Sequence, residues 1–412
     1  MPAVKRKNLS DKREIKASPG PSRQSGGEPD ESESSSRQIE IARRAWKYFA
    51  ANYLPETGMT NPVHNYSSGT LWDAGSALAA YVSAEKLGLI GRGDFVERAG
   101  RLLKTLLSMG MYNDELPNRE YDWRTAGILD LRGKPSLRGS GWSALDLGRL
   151  LVWLKITESW YPELAGTAAA VVNRWKFERV CLHSELNGVL LEGSREHLRQ
   201  EGRLGYEQYA ASGFALWSRE VGKAFDYEHA KWVELEGIRV PIDSRCYPYL
   251  TSEPFFMARM ELGGLDDRFN SIIDDIYGIQ KKRRQRTGIL TAVTEDSINS
   301  PPWFVYNCIV YDGKPWTCLA HNGKPYDEFK NLSTKAAMCW SAIYSDDYSK
   351  ELRRSVLDLA DPNYGYYGGV YETPKGRVNR SLNLNTNAVI LESMLYLQRN
   401  RKPFVYFHPG AK

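Results

Sequence analysis

Apolar positions along the chain change their spacing in a regular way. Ile41, Ala42, Ala45, Trp46, Phe49 and Tyr53 recur at helical intervals and predict an amphipathic helix near 39–53. After it, a Gly-, Tyr- and Asp-rich loop runs six times into a helix that is apolar nearly all round. The six heads are Leu71-Trp72-Asp73-Ala74-Gly75, Gly141-Trp142-Ser143-Ala144-Leu145-Asp146, Gly205-Tyr206-Glu207-Gln208-Tyr209-Ala210, Thr251-Ser252-Glu253-Pro254-Phe255, Leu332-Ser333-Thr334-Lys335-Ala336 and Leu382-Asn383-Leu384-Asn385-Thr386-Asn387. Five of them place an oxygen-bearing side chain at the first turn, where it satisfies orphan N–H groups. Bodies such as Ala77-Leu78-Ala79-Ala80-Tyr81-Val82 have no polar face, so they are expected to be buried on all sides.

Amphipathic helices are expected between these inner ones, near 39–53, 94–109, 163–176, 226–236, 266–281 and 348–359, the 226–236 segment being the shortest. Short turns at one end and long loops at the other, six times over, predict an all-α fold. It is a closed (α/α)6 toroid, or six-hairpin barrel, with a cleft at the loop end. Small β-hairpins are expected in those loops, one over Arg179 to Glu192 turning at Asn187-Gly188, another over Trp303 to Trp316 turning at Asp312-Gly313.

Composition sharpens the domain boundary. No aromatic residue precedes Trp46, and thirteen of the twenty residues from Ala17 to Ser36 are Ser, Gly or Pro. Such a stretch buries too little apolar surface to offset its ordering entropy, so residues 1–38 are read as a disordered polar tail and 39–412 as the toroid. The basic start (Lys5, Arg6, Lys7) leads into no apolar run and does not read as a secretory signal. A net charge of +5, from 55 basic and 50 acidic residues, argues against a nucleic-acid partner. No window reaches the roughly 18 apolar residues of a membrane span.

The five cysteines are too few for a disulfide scaffold. No cofactor is expected: phosphate-cradling glycine loops are absent, and Cys318-x-x-His321 lacks a second metal-binding pair. The basic run Lys281-Lys282-Arg283-Arg284 with Arg286 falls at a helix C-terminus, where cations favour the macrodipole.

Twelve Trp and 24 Tyr exceed what core packing alone calls for and suit a wet, half-buried aromatic surface, a feature of clefts facing an oligo- or polysaccharide and also of other interfaces. The expected stacking rings are Trp72, Trp123, Trp142, Tyr206, Tyr209, Trp303, Trp316 and Tyr371, with Arg124 and Arg149 donating to hydroxyls. The same end gathers Asp73, Asp122, Asp146, Glu207, Glu253, Glu295, Asp327, Glu328 and Glu372. Cleaving a glycosidic bond takes two carboxyl groups flanking it, one protonated, and an apolar wall raises a carboxyl pKa by desolvation.

Several ordered stretches carry a resemblance. Trp46 to Phe49, Ser67 to Gly75, Glu115 to Asn118, Gly141 to Arg149, Glu201 to Ala211, Glu295 to Tyr306 and Asn385 to Ala388 together resemble the bacterial DUF3131 family, over roughly residues 40–400. That family is similar to six-hairpin glycosidases of the glucoamylase-like and β-1,2-glucanase-like groups. The resemblance implies a bacterial glucan or related polysaccharide as substrate and a periplasmic or exported location, whereas the sequence as it begins reads as cytoplasmic. In glucoamylase-type toroids the acid lies between the fifth and sixth helices and the base between the eleventh and twelfth. Carried onto this chain, those loops give Glu207 as acid and Glu372 as base of an inverting hydrolase, with Asp73, Asp146, Glu253 and Glu295 as substitutes. The alternative expectation is a glycan-binding or polysaccharide-assembly component of the same fold without catalysis.

Overall fold

A computed structural model describes residues 31–373 and 376–409. Among them are eleven α-helices: α1 (Glu31–Asn52), α2 (Leu71–Lys86), α3 (Arg92–Ser108), α4 (Ala144–Trp160), α5 (Pro162–Asn173), α6 (Tyr206–Ala215), α7 (Glu253–Met257), α8 (Asp267–Thr287), α9 (Thr334–Ile343), α10 (Asp347–Val356) and α11 (Leu384–Gln398). The helix α7 continues without a break into a wider π turn, Ala258–Leu262. Residues 31–38, expected in the polar tail, belong to α1. The remaining expectation for the tail lies outside the described residues.

All six apolar heads start inner helices. These pack in the order α2, α4, α6, α7, α9, α11, and α11 packs back on α2, closing a ring. Desolvation of the all-apolar bodies drives that closure, since a helix without a polar face finds no orientation in which water covers it cheaply. Capping sets where each begins: Thr70 and Asp73 form a reciprocal box at α2, Ser143 caps α4 and Asn383 caps α11. The α4–α6 crossing needs glycine. A Cβ on Gly148 would lie 2.4 Å from the Ala210 backbone, and one on Gly213 would lie 2.1 Å from the Gly148 carbonyl oxygen.

The outer layer departs from expectation at one place. α1, α3, α5, α8 and α10 back α11, α2, α4, α7 and α9, respectively. The segment expected as a helix at 226–236 is instead a β-hairpin, Ala230–Leu235 paired antiparallel with Ile238–Asp243 and packed on α8. Its turn is Glu236-Gly237, both at positive φ (54° and 69°), the two-residue geometry that matches strand twist. Among the described residues there are therefore five outer helices rather than six, and with the many short sheets the all-α description is too narrow.

The loop hairpins are present. Phe304–Tyr311 pairs with Lys314–Leu319 around Asp312-Gly313, as expected. Asn187–Glu192 pairs with Arg195–Gln200, but the turn is Gly193-Ser194, and Asn187-Gly188 opens the first strand. The basic run ends α8 as expected, and four of its five members are in ion pairs: Lys281 with Asp346, Arg283 with Glu372, Arg284 with Glu351 and Arg286 with Glu236, while Lys282 donates to the Glu236 carbonyl.

Inside the ring sits a fully buried Arg149 on α4. Its guanidinium donates to Ser76 Oγ on α2 (2.8 Å), Tyr209 Oη on α6 (3.0 Å), Glu261 Oε1 in the π turn (2.8 Å) and Glu392 Oε1 on α11 (2.9 Å). Tyr209 also donates to Glu261 Oε2 at 2.6 Å. One cation thus ties together five members of the inner layer. Burial holds Glu392 well above the usual carboxyl range.

Candidate functional site

Every inner helix presents its first turn, or its cap, to one cleft of about 500 Å³ at the loop end. Trp72 and Asp73 come from α2, Ser143, Leu145 and Asp146 from α4, and Tyr206 from α6. Glu253 comes from α7, Lys335 from α9, and Asn383 with Asn385 from α11. The long loops complete the wall with Arg119, Glu120, Glu201, Arg203, Glu295, Phe304 and Tyr306. Six carboxyl groups face three cations there.

Two of the six are tied up. Glu201 accepts from Arg119 Nη2 and from the Ala144 N–H that opens α4, both at 2.6 Å. Glu253 accepts from Asn385 Nδ2 at 2.6 Å through one oxygen, and from Lys335 and Thr294 (3.1 Å) through the other. Asp73 is half engaged, its Oδ2 capping Thr70 N at 2.8 Å; burial still lifts it to about 6. Burial also raises Glu120, which takes only a long 3.4 Å bond from Ser68.

Asp146 and Glu295 differ. Asp146 has no side-chain hydrogen bond among the described residues, and burial, with the Glu201 charge beside it, pushes it up to about 7. Glu295 accepts from Tyr249 Oη at 2.7 Å through Oε1, and its Oε2 is free of protein partners among the described residues. Burial carries Glu295 to about 7 as well, against the pull of Arg203. Both acids line the cleft, with Arg203 and Tyr306 within electrostatic reach of each.

Four of the nine expected carboxylates therefore line the cleft: Asp73, Asp146, Glu253 and Glu295. Glu207 does not. It is fully buried one residue past Tyr206, turned to Arg245 Nη2 and Gln200 Nε2 (2.8 Å). Glu372 also lies away from the cleft, in a bidentate pair with Arg283 at 2.7 and 2.8 Å. Asp122, Asp327 and Glu328 sit outside it too, Asp122 bonded to Ser67 and Arg124.

Of the expected sugar-contacting residues, Trp72 and Tyr206 line the cleft. Arg149 and Tyr209 belong to the buried hub beneath it. Trp123 is buried and stacked on Tyr121 (5.3 Å), and Trp142 is buried with its indole N–H on the Asn187 carbonyl (3.0 Å). Tyr371 is buried against Phe329, and Trp316 lies under Arg283 at 4.5 Å. Arg124 and Trp303 are exposed beyond the lining. For the aromatics the reason is area: large rings at helix ends are drawn into the core unless the fold leaves a hollow beside them.

Sequence reasoning passed over Arg119, Glu120, Glu201, Arg203 and Lys335. Glu201 had a signal, since it lies in the loop between α5 and α6 and begins one of the ordered stretches, Glu201 to Ala211. Among the described residues no group of three or more His, Cys, Asp or Glu is placed to hold a metal ion, and no helix is long and apolar enough to cross a membrane.

A family model described as a protein of unknown function (DUF3131) matches residues 40–400. No curated protein sequence matches the chain. Solved structures resemble it at low identity. A candidate glucoamylase from Bacteroides uniformis has a TM-score of 0.67 at 12% identity, over 91% of this chain and 94% of that one. The endo-β-1,2-glucanase of Chitinophaga pinensis, in complex with sophorotriose and glucose, gives 0.65 at 13%, over 88% and 92%. The endo-β-1,2-glucanase of Talaromyces funiculosus, in complex with β-1,2-glucan, gives 0.59 at 10%, over 88% and 84%. These likenesses show the six-hairpin glycosidase fold.

Proposed function

We propose that this chain, which belongs to the DUF3131 family, hydrolyses a glycosidic bond in a neutral glucan or related polysaccharide, with Asp146 and Glu295 as the paired carboxyls. The observation that carries the reading is that these two acids line one cleft, both raised to about 7 by burial, Asp146 with no side-chain partner and Glu295 with one oxygen free among the described residues, while Glu201 and Glu253 are tied up. Asp146, unpartnered and raised to about 7, is the proton donor to the leaving oxygen. Glu295, held by the Tyr249 hydroxyl on one oxygen, presents the other to water. Inversion at the anomeric carbon requires about 6.5–9.5 Å between the two carboxyls, room for that water, and retention about 5–5.5 Å.

The charge of the wall supports a neutral substrate. Arg119 and Lys335 are already paired with Glu201 and Glu253, and Arg203 is enclosed by tyrosines. An anionic sugar would meet unpaired carboxyls before it met a free cation.

The test is reducing-end release from a panel of neutral bacterial glucans, linear β-1,2-glucan first because two structural neighbours are β-1,2-glucanases. Asp146→Asn and Glu295→Gln should each lower kcat by about 10²–10⁴-fold. The wild-type rate should fall on both sides of neutrality: Glu295 must be ionised and Asp146 protonated, and both titrate near 7. Full activity in both variants would sink the assignment. One observation favours a second reading, a glycan-binding component without catalysis. The 357–383 loop, where glucoamylase-type toroids hold their base, brings Asn383 to the cleft and no carboxylate. Binding without release, unaltered by either substitution, would establish that reading instead.

A further inference from the structure

Beside the main cleft lies a second chamber of about 390 Å³, and Arg203 and Tyr306 line both. Tyrosine rings dominate the side chamber. Tyr247 is 45% exposed, and Tyr249 and Tyr306 stand 5.2 Å apart at 47°. Tyr311 and His321 close the far side. The Arg203 guanidinium lies over Tyr247 at 4.9 Å, over Tyr249 at 5.3 Å and over Tyr306 at 6.0 Å, so three rings fix its position between the chambers.

Among the described residues, the hydroxyls of Tyr247, Tyr306 and Tyr311 have no hydrogen-bond partner in the protein. None of the three is a buried unsatisfied atom. An amphipathic ring with an open face and a free polar tip is suited to a ligand that is apolar on its faces and hydroxylated at its edges, as a pyranose is. Each chamber by itself lies in the range of about 300–1,000 Å³ that encloses a small-molecule ligand, so the pair is oversized for one sugar ring.

We propose that the side chamber is a chain-binding subsite: one oligosaccharide runs continuously from the main cleft past Arg203, with a further sugar resting on Tyr247. The substrate is then a glycan chain rather than a disaccharide. This rests on the hydrolytic reading for its rate measurements but not for its binding measurements.

The test uses the full chain and linear β-1,2-gluco-oligosaccharides from the trisaccharide to the heptasaccharide. In Tyr247→Ala the ratio of kcat/KM on the heptasaccharide to that on the trisaccharide should fall about tenfold, roughly the loss of one aromatic contact. Tyr311→Ala should shift the same ratio in the same direction. In parallel, calorimetry in the Asp146→Asn background should show the heptasaccharide Kd rising about tenfold when Tyr247→Ala is added, with a smaller rise for the trisaccharide. Equal losses at every length, or no loss, would overturn the subsite. If wild type cleaves none of the oligosaccharides yet the length-dependent Kd shift appears, hydrolysis fails and the subsite stands. If it neither cleaves nor binds them, both proposals fall.

Discussion

Two clusters of acids gather around arginines in this molecule, about one helical turn apart, as Asp146 and Arg149 are on α4. In the hub, Arg149 is fully enclosed, and Ser76, Tyr209, Glu261 and Glu392 converge on it from neighbouring helices. In the cleft, Arg119 and Arg203 hold Glu201 and Tyr249, while Asp146 and one oxygen of Glu295 are left without protein partners. The hub's cation has spent its donors on the protein, and its connections fix the positions of helices. The cleft's acids retain open valences in a partly desolvated setting, where a ligand can use them. Satisfied polar networks specify structure, and partly satisfied ones beside a cavity are available for chemistry.

The sharpest way to break that comparison is to swap the expected consequences. Arg149→Ala removes one cation and leaves two carboxyls in the core, so it should destabilise the fold by about 3–5 kcal/mol, the range for breaking a buried pair from one side. Urea unfolding would read this directly. Asp146→Asn should leave the fold intact and remove the activity. A stable Arg149→Ala with a dead active site would mean the hub belongs to the site and that the division drawn between the clusters is false.

A smaller effect separates the cleft from acids that only resemble its members. Glu372→Gln weakens a bidentate pair and leaves Arg283, stacked on Trp316, short of its counter-charge. It should cost about 2 kcal/mol, in line with a charge-assisted bond. On β-1,2-glucan, kcat should stay within a factor of about two, since the group lies away from the reacting atoms. A hundredfold loss of kcat in a stably folded Glu372→Gln would put the base back in the loop between α10 and α11.

Two of the places where the sequence misleads, the 226–236 segment and Glu207, adjoin one another through Arg245. The inner helices are legible because an all-apolar run has only one place to go, and the outer ones because a 3.6-residue stripe must face inward. At 230–243 that logic gives way to a hairpin whose signal is the Glu236-Gly237 turn and the alternation of Trp232-Val233-Glu234-Leu235. Just past that hairpin lies Arg245, the residue that claims Glu207. Reading the segment as a helix thus removed the partner that makes Glu207 structural. The register within the first turn also decides the matter: successive helical residues differ by about 100° in direction, so Tyr206 enters the cleft and Glu207 turns away from it. Which end of the ring holds the acids is written in the pattern of caps. Which acids keep a free oxygen depends on loops such as 119–120 and 201–203, and no periodicity in the chain registers them.

A stability measurement at two pH values sharpens the comparison most, because it separates the clusters by sign. Asp146 is raised from an ordinary aspartate value to about 7, so the folded protein prefers its protonated form more than the unfolded chain does. The stability this contributes is fully present below about pH 4 and is lost as pH rises through 7. Asp146→Asn removes the titration. At pH 8 the variant should therefore be more stable than wild type by about 4 kcal/mol, and near pH 4 the two should coincide. Arg149→Ala has no such rescue in that window and should be less stable at both pH values. Chemical denaturation of the three proteins at pH 4 and pH 8 provides the comparison. An Asp146→Asn chain less stable than wild type at pH 8 would show that the carboxylate contributes to the fold, as the hub's acids do, and would remove the ground for assigning it to catalysis.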